Sequence, residues 1–240
     1  MIGLGTLINA VAILVGGIVG RTAARNISPG NQTVIKVMLV LLTICAGLSM
    51  FLTSLKGSLG QVAGQIGIAL LSLILGNMIG KMLRVQKALN RLGHYAQQRF
   101  AHAQADGQPP VSEGFITCTL LFCVGPMTIL GSIQDGLHGD YRLLAIKAAM
   151  DGMATMGFAA VFGWSVMLAV IPLVAYQGTL TLCARWLEPY LSDAMTNSIS
   201  GAGGLLVLCI PMVILGLKKV PLADYLPSLV IAPLLTWWWL

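Results

Sequence analysis

Apolar residues run along this chain in long unbroken blocks, not in the alternating steps of strands or the one-sided stripes of water-soluble helices. "LGTLINAVAILVGGIVG" (4–20) is the first block, and others cover about 37–55, 62–80 and 114–130. A longer one fills 143–182, and two more close the chain at about 198–217 and 222–239. Crossing a bilayer as a helix takes about 20 mostly apolar residues. A transmembrane β-barrel would instead show roughly ten-residue segments of alternating polarity, a pattern absent here. The blocks predict an all-α membrane protein: a single polytopic transmembrane domain over 1–240, folded as a helical bundle of about eight transmembrane helices.

The block 143–182 holds two charges, Lys147 and Asp151, and is too long for one crossing. Two spans of about 20 residues fit it, turning near "FGWS" (162–165) with Trp164 at the membrane interface. The alternative is a re-entrant segment over 143–162 followed by one span, which gives seven helices in all. Positive charge bears on the choice, because Lys and Arg collect on the cytoplasmic side. Eight spans put ten of the fourteen basic residues inside and three outside, with Lys147 in the membrane. Seven put nine inside and four outside. Eight spans also place the N-terminus outside and the loop 81–114 in the cytoplasm. No basic region precedes the first block, and Arg21 and Arg25 follow it, so no signal-peptide cleavage is expected.

Composition agrees with this picture. Hydrophobic types make up 57% of the chain and charged types 9%, with a mean hydropathy of +0.86. A soluble fold so poor in charge would expose large apolar patches to water. The net charge of +6 therefore reads as topology, not nucleic-acid affinity. The five cysteines lie in or beside apolar runs without a Cys-x-x-Cys pair, as small buried residues do.

Residues 81–114 form the one long polar loop. Met82, Val85, Leu89 and Leu92 recur at helical spacing among Lys81, Arg84, Lys87, Arg91 and Arg99. This pattern predicts an amphipathic helix on the cytoplasmic surface, with 81–105 near anionic lipid headgroups. "LVGGIVGR" and "LILGNMIGK" each carry Gly-x-x-x-Gly, Gly16 with Gly20 and Gly76 with Gly80. Small residues four apart let helix backbones approach closely, within the chain or in a homo-oligomer.

Charge inside a bilayer costs about 2.5–3.5 kcal/mol per residue on insertion scales, so it marks a candidate site. Lys147, Asp151 and Thr155 recur four apart and share one helix face. They form either a contact point for a small polar solute or ion, or an ion pair that holds helices in place. The run "GPMTILGSIQDG" (125–136) would face them. Pro126 frees a carbonyl one turn back, near residue 122. Gly125 and Pro126 then break the fourth span, with Thr128, Ser132, Gln134 and Asp135 as polar partners, as in discontinuous transporter helices. The alternative is a span ending at Gly125 and an outer loop with a turn at Asp135-Gly136. Asn9 and Asn77 read as hydrogen-bonding residues between helices.

No zinc-binding pattern, phosphate-binding Gly-x-x-x-x-Gly-Lys-Ser/Thr loop or Gly-x-Ser-x-Gly elbow occurs. The expectation is a non-enzyme with no cofactor and no metal site. A weak repeat occurs at an offset of 164 residues, aligning Arg21 with Arg185, Ser28 with Ser192, Leu41 and Leu42 with Leu205 and Leu206, and Cys45 with Cys209. Under eight spans, the halves 1–83 and 163–240 would be inverted, linked by the basic loop and the central helices 114–162.

The segment "FCVGPMTILGSIQDGLHGDYRLLAIKAAMDG" (122–152) resembles the YqgA/YdfK-like bacterial membrane proteins, a domain-of-unknown-function family. "GTLINAVAILVGGIVG" and "GAGGLLVL" fit it too, so the likeness covers essentially the whole chain. It implies a bacterial multipass inner-membrane protein and no named activity. Gly125, Asp135, Gly136, Gly139, Asp140, Lys147 and Asp151 belong to its signature, without assigned roles. The functional expectation is a secondary transporter or channel for a small polar solute or ion; the alternative is a membrane scaffold or regulator.

Overall fold

A computed structural model describes residues 2–24, 29–88, 90–91, 111–123, 125–190, 192–217 and 220–239. The described residues are 89% helix, with no strand among them. Among the described residues, five helical segments are long and apolar enough to cross a membrane, or six if one bent pair counts as a span. The chain divides into two compact units. The first holds Met1–Leu39, Asn90–Cys123 and Met127–Tyr190; the second holds Val40–Leu89, Val124–Pro126 and Leu191–Leu240.

The first unit is built on α1 (Leu4–Ala24), whose burial pattern is the reverse of a soluble helix. Gly5, Thr6, Asn9, Gly16, Gly17 and Gly20 face inward, while Leu7, Val11, Leu14, Val15, Ile18 and Val19 face outward. Small and polar residues inside with large apolar ones outside suit a lipid solvent, where packing and hydrogen bonds join helices. Val111–Cys123 forms α4, Pro126–His138 α5 and Arg142–Phe162 α6. A 3-10 segment, Gly163–Ala169, leads to α7 (Val170–Leu182) and the short α8 (Ala184–Leu187).

Contacts on α1 set the directions of these helices. Gly5 lies against Leu144, Gly16 against Gly152 and Gly20 against Met156, so α1 and α6 run parallel. Thr6 bonds Gln177 while Gly17 lies against Met167, so α7 runs the opposite way. The 41-residue helical stretch Arg142–Leu182 is therefore a hairpin, turning in its 3-10 segment as the pattern of residues 162–165 predicts. Trp164 in that turn is buried within the protein, where Gly114 of α4 packs onto its neighbours Phe162 and Ser165.

In the second unit, α2 (Pro29–Ser54) contributes from Val40 onward and packs on α9 (Asp193–Val207). Gly47 and Phe51 meet Gly204, and Ser54 meets Gly201, so the two are antiparallel. The helix α3 (Leu59–Leu83) packs antiparallel on α11 (Ser228–Trp239): Gly76 abuts the Ser228 backbone and Gly80 the Asp224 carbonyl. The Gly76/Gly80 step is thus a close-packed face.

Several boundaries differ from the sequence expectation. The span expected at 198–217 is α9 followed by α10 (Ile210–Ile214), and that expected at 222–239 is a 3-10 turn, Leu222–Tyr225, leading into α11. After α3, Arg84 takes a left-handed conformation (φ 56°) and breaks the helix. Gln86 then clamps the chain end: its N–H donates to Asp224 Oδ1 at 2.8 Å, and its Oε1 accepts from Ala223 N–H at 3.0 Å. Most of the expected surface helix, including Leu89 and Leu92, lies outside the described residues.

Candidate functional site

The polar residues of the first unit converge on α1. Lys147, Asp151 and Thr155 share the buried face of α6, as their spacing predicts. Lys147 and Asp151 are only 5% and 8% exposed, and the Lys147 Nζ donates to Asp151 Oδ2. The same oxygen accepts from Asn9 Nδ2 at 3.0 Å. Asn9 Nδ2 also donates to Gln177 Oε1 at 3.2 Å, and Gln177 Nε2 donates to Thr6 Oγ1 at 3.2 Å. One network thus ties α1, α6 and α7 together. Thr155 donates to the Asp151 carbonyl at 2.6 Å, within its own helix.

This network lies well inside apolar helices. At 1.5 Å per residue, Asp151 stands about 14 Å along α6 from Arg142. That is close to half of a hydrocarbon core of about 30 Å. Arg142 is exposed and pairs with Asp140 at 3.8 Å, as suits a helix end in water.

The Gly-Pro break is real, but residues 126–138 beyond it are helical. Pro126 opens α5, where a missing N–H costs nothing. The pair formed by α4 and α5 is bent by 59°. Thr128 Oγ1 donates to the Phe122 carbonyl at 3.0 Å, so the acceptor expected near residue 122 is satisfied within the chain. Ser132 Oγ bonds the Thr128 carbonyl at 2.6 Å. The outer-loop reading, with a turn at Asp135-Gly136, is corrected: both residues are helical, and Gly136 packs against the Thr181 carbonyl and Ala184.

Asp135 is fully buried, and its Oδ2 accepts the Gly5 N–H at 3.1 Å. That donor is one of the unpaired N–H groups in the first turn of α1, where negative charge is favoured. Gln134 is exposed, while Thr128, Ser132 and Asp135 are buried but bond Phe122, Thr128 and Gly5 rather than Lys147 or Asp151. Gly125 has open space around its α-carbon.

Two acceptors in this region have no donor among the described residues: Asn9 Oδ1 and Asp135 Oδ1. Both belong to side chains with no accessible surface. An unmet buried polar group costs about 1–3 kcal/mol, so each marks a place where the fold gives up stability. Gln177 and Thr6 were not among the expected site residues. A lone Gln within "VAYQGTL" was the available signal for the first.

Comparison with known sequences bears on this chain as a whole. The family model described as "Protein of unknown function (DUF554)" matches residues 4–237. The chain belongs to the DUF554 family. It is 29% identical to the "Uncharacterized membrane protein YdfK" of Bacillus subtilis (strain 168) over 229 residues, covering 95% of this chain and 93% of the relative. It is 28% identical to the "Uncharacterized protein YqgA" of Escherichia coli (strain K12) over 240 residues, covering 98% and 97%. No solved structure matches. Membership in DUF554, the relative named as a membrane protein and the apolar helices together make this a membrane protein.

Proposed function

We propose that this DUF554 protein is an eight-pass secondary transporter or channel of the bacterial inner membrane, handling a small polar solute or ion. The observation carrying this reading is the buried Lys147–Asp151–Asn9–Gln177 network, with Asp151 about half-way along the apolar helix α6. Ionisable groups at that depth are expensive and typically mark solute pathways. The eight passes are α1, α2, α3, the bent α4–α5 pair, α6, α7, α9 with α10, and α11. Directions within the first unit support the count. Gly5, Asp135, Leu144 and Thr181 gather at one end of α1, and Gly20, Met156 and Phe162 lie toward the other. The charge distribution then puts the N-terminus outside and the basic loop 81–114 in the cytoplasm, beside anionic lipid.

Flux through proteoliposomes of purified protein tests the reading, with K⁺, Na⁺, Cl⁻ and a labelled amino-acid mixture offered in turn. Wild type should pass at least one of them. Asp151→Asn and Lys147→Ala should abolish that flux while still inserting as folded protein. Normal flux in both variants would remove the network from the pathway.

A second reading draws on the complete burial of Asn9, Gln177 and Asp135. On it, the network only fastens α1 inside a scaffold, and the variants lose stability with no flux to lose.

A further inference from the structure

The three helices α1–α3 recur after an offset of 164 residues, in element boundaries as well as in scattered identities. Shifted by 164, the start of α2 at Pro29 falls on Asp193, where α9 starts. The end of α1 at Ala24 falls one residue past Leu187, the end of α8. The start of α3 at Leu59 falls within the 3-10 turn Leu222–Tyr225 that leads into α11.

Each helix also packs against its own counterpart, antiparallel. Phe51 meets Gly204 and Ser54 meets Gly201, and both pairs centre between Cys45 and Ala46, within the second half of α2. Gly76 meets Ser228 and Gly80 meets Asp224, and both pairs centre on Leu70, near the middle of α3. In the first unit, Asn9 bonds Gln177 and Gly17 meets Met167, so the crossing of α1 with α7 centres near Ala10. A helix that crosses a shifted copy of itself, antiparallel and well within its own length, is related to it by a local two-fold axis. Three successive helices do so here.

We propose that α1–α3 and α7–α11 are two copies of one three-helix unit, inserted in opposite orientations. The polar network then sits where α1 crosses its own counterpart α7, so exchanging the conformations of the two copies would present Asn9 and Asp151 to either face. The exchange rests on the transport reading above; the duplication does not. A stripe of small residues in α3, Gly60, Gly64 and Gly67, is open and unoccupied, but nothing places a partner on it.

Membrane orientation tests the duplication directly. Arg21→Cys and Arg185→Cys, each in a chain without its five native cysteines, would be labelled with an impermeant maleimide in right-side-out and inverted vesicles. The two positions should react from opposite faces. Reaction from the same face, or of each position from both faces, would overturn the duplication. If the cysteine-free chain does not insert, an epitope placed in residues 25–28 or in Glu188–Tyr190 of the native chain gives the same readout.

The exchange has its own arm. Gly17→Cys with Met167→Cys bridges the crossing, since a Cβ at residue 17 touches the Met167 side chain. Oxidation should stop the flux seen in proteoliposomes, and reduction should restore it. Unchanged flux in the oxidised protein would overturn the exchange and leave the assignment of the network to a pathway standing.

Discussion

Replacing Lys147 by Met removes a buried charge while keeping most of the side chain's volume. Asp151 Oδ2 then loses one of its two donors and keeps Asn9 Nδ2 alone. Asp151 is only 8% exposed in the native fold, so its carboxylate has little access to water. Breaking a buried ion pair from one side typically costs about 3–5 kcal/mol, because the remaining charge is uncompensated. At about 1.4 kcal/mol per factor of ten, the folding equilibrium should fall by roughly 10² to 10⁴. Asp151→Asn should cost a similar amount, since it strands the ammonium instead. The double variant Lys147→Met/Asp151→Asn leaves no buried charge, and the new Asn can keep the Asn9 bond. It should recover a large part of the loss, giving a coupling of about 2 kcal/mol or more, within the range measured for contacting residues. Unfolding in mixed micelles, followed by circular dichroism as denaturing detergent is added, measures all four proteins. Losses that add without coupling, or a single-variant loss below about 1 kcal/mol, would show that the two groups do not depend on each other. Flux separates structure from function, because the double variant should be folded yet inactive.

Gly16→Ala should destabilise by about 1–3 kcal/mol, since its Cβ would meet the Gly152 carbonyl and backbone has little room to give. Gly64→Ala, a helical position with nothing within 4 Å, should instead gain about 0.5–1 kcal/mol in the same unfolding assay. Equal effects at the two sites would contradict the α1–α6 contact. Thr128→Val should cost about 1–3 kcal/mol by orphaning the Phe122 carbonyl, whereas Thr179→Val, at an exposed hydroxyl, should stay within about 0.5 kcal/mol.

The spans and the stripe Lys147, Asp151 and Thr155 were legible because lipid solvent leaves a plain record: long apolar runs, and charge that stands out within them. Asn9 was legible as interhelical glue, though not as a donor to Asp151 and Gln177 together. That junction depends on residues 142 and 168 positions away, and no local pattern records such a pairing. An outer loop stayed open as one of two readings of 125–136 because Gly, Pro, Thr and Ser are weak helix formers in isolation. In the fold, Pro126 is at the helix start, where it is favoured, and Thr128 supplies the donor that the break requires. The burial of Trp164 was not legible either, because it depends on the small Gly114 of α4 closing over this turn.

The long reach of the Asn9 bonds has a consequence during synthesis. The first helix enters the membrane carrying a polar side chain whose partner Asp151 is made 142 residues later. At about 5–20 residues per second, that interval is roughly 7 to 30 seconds. Throughout it, the Asn9 amide lacks the two side chains to which it donates in the finished protein. The order of events is then fixed by chemistry. The Asn9 pairing is complete only after both α6, which carries the carboxylate, and α7, which carries Gln177, have been made. An asparagine that is one strut among several in the finished protein thereby gains its partners only once most of the chain exists.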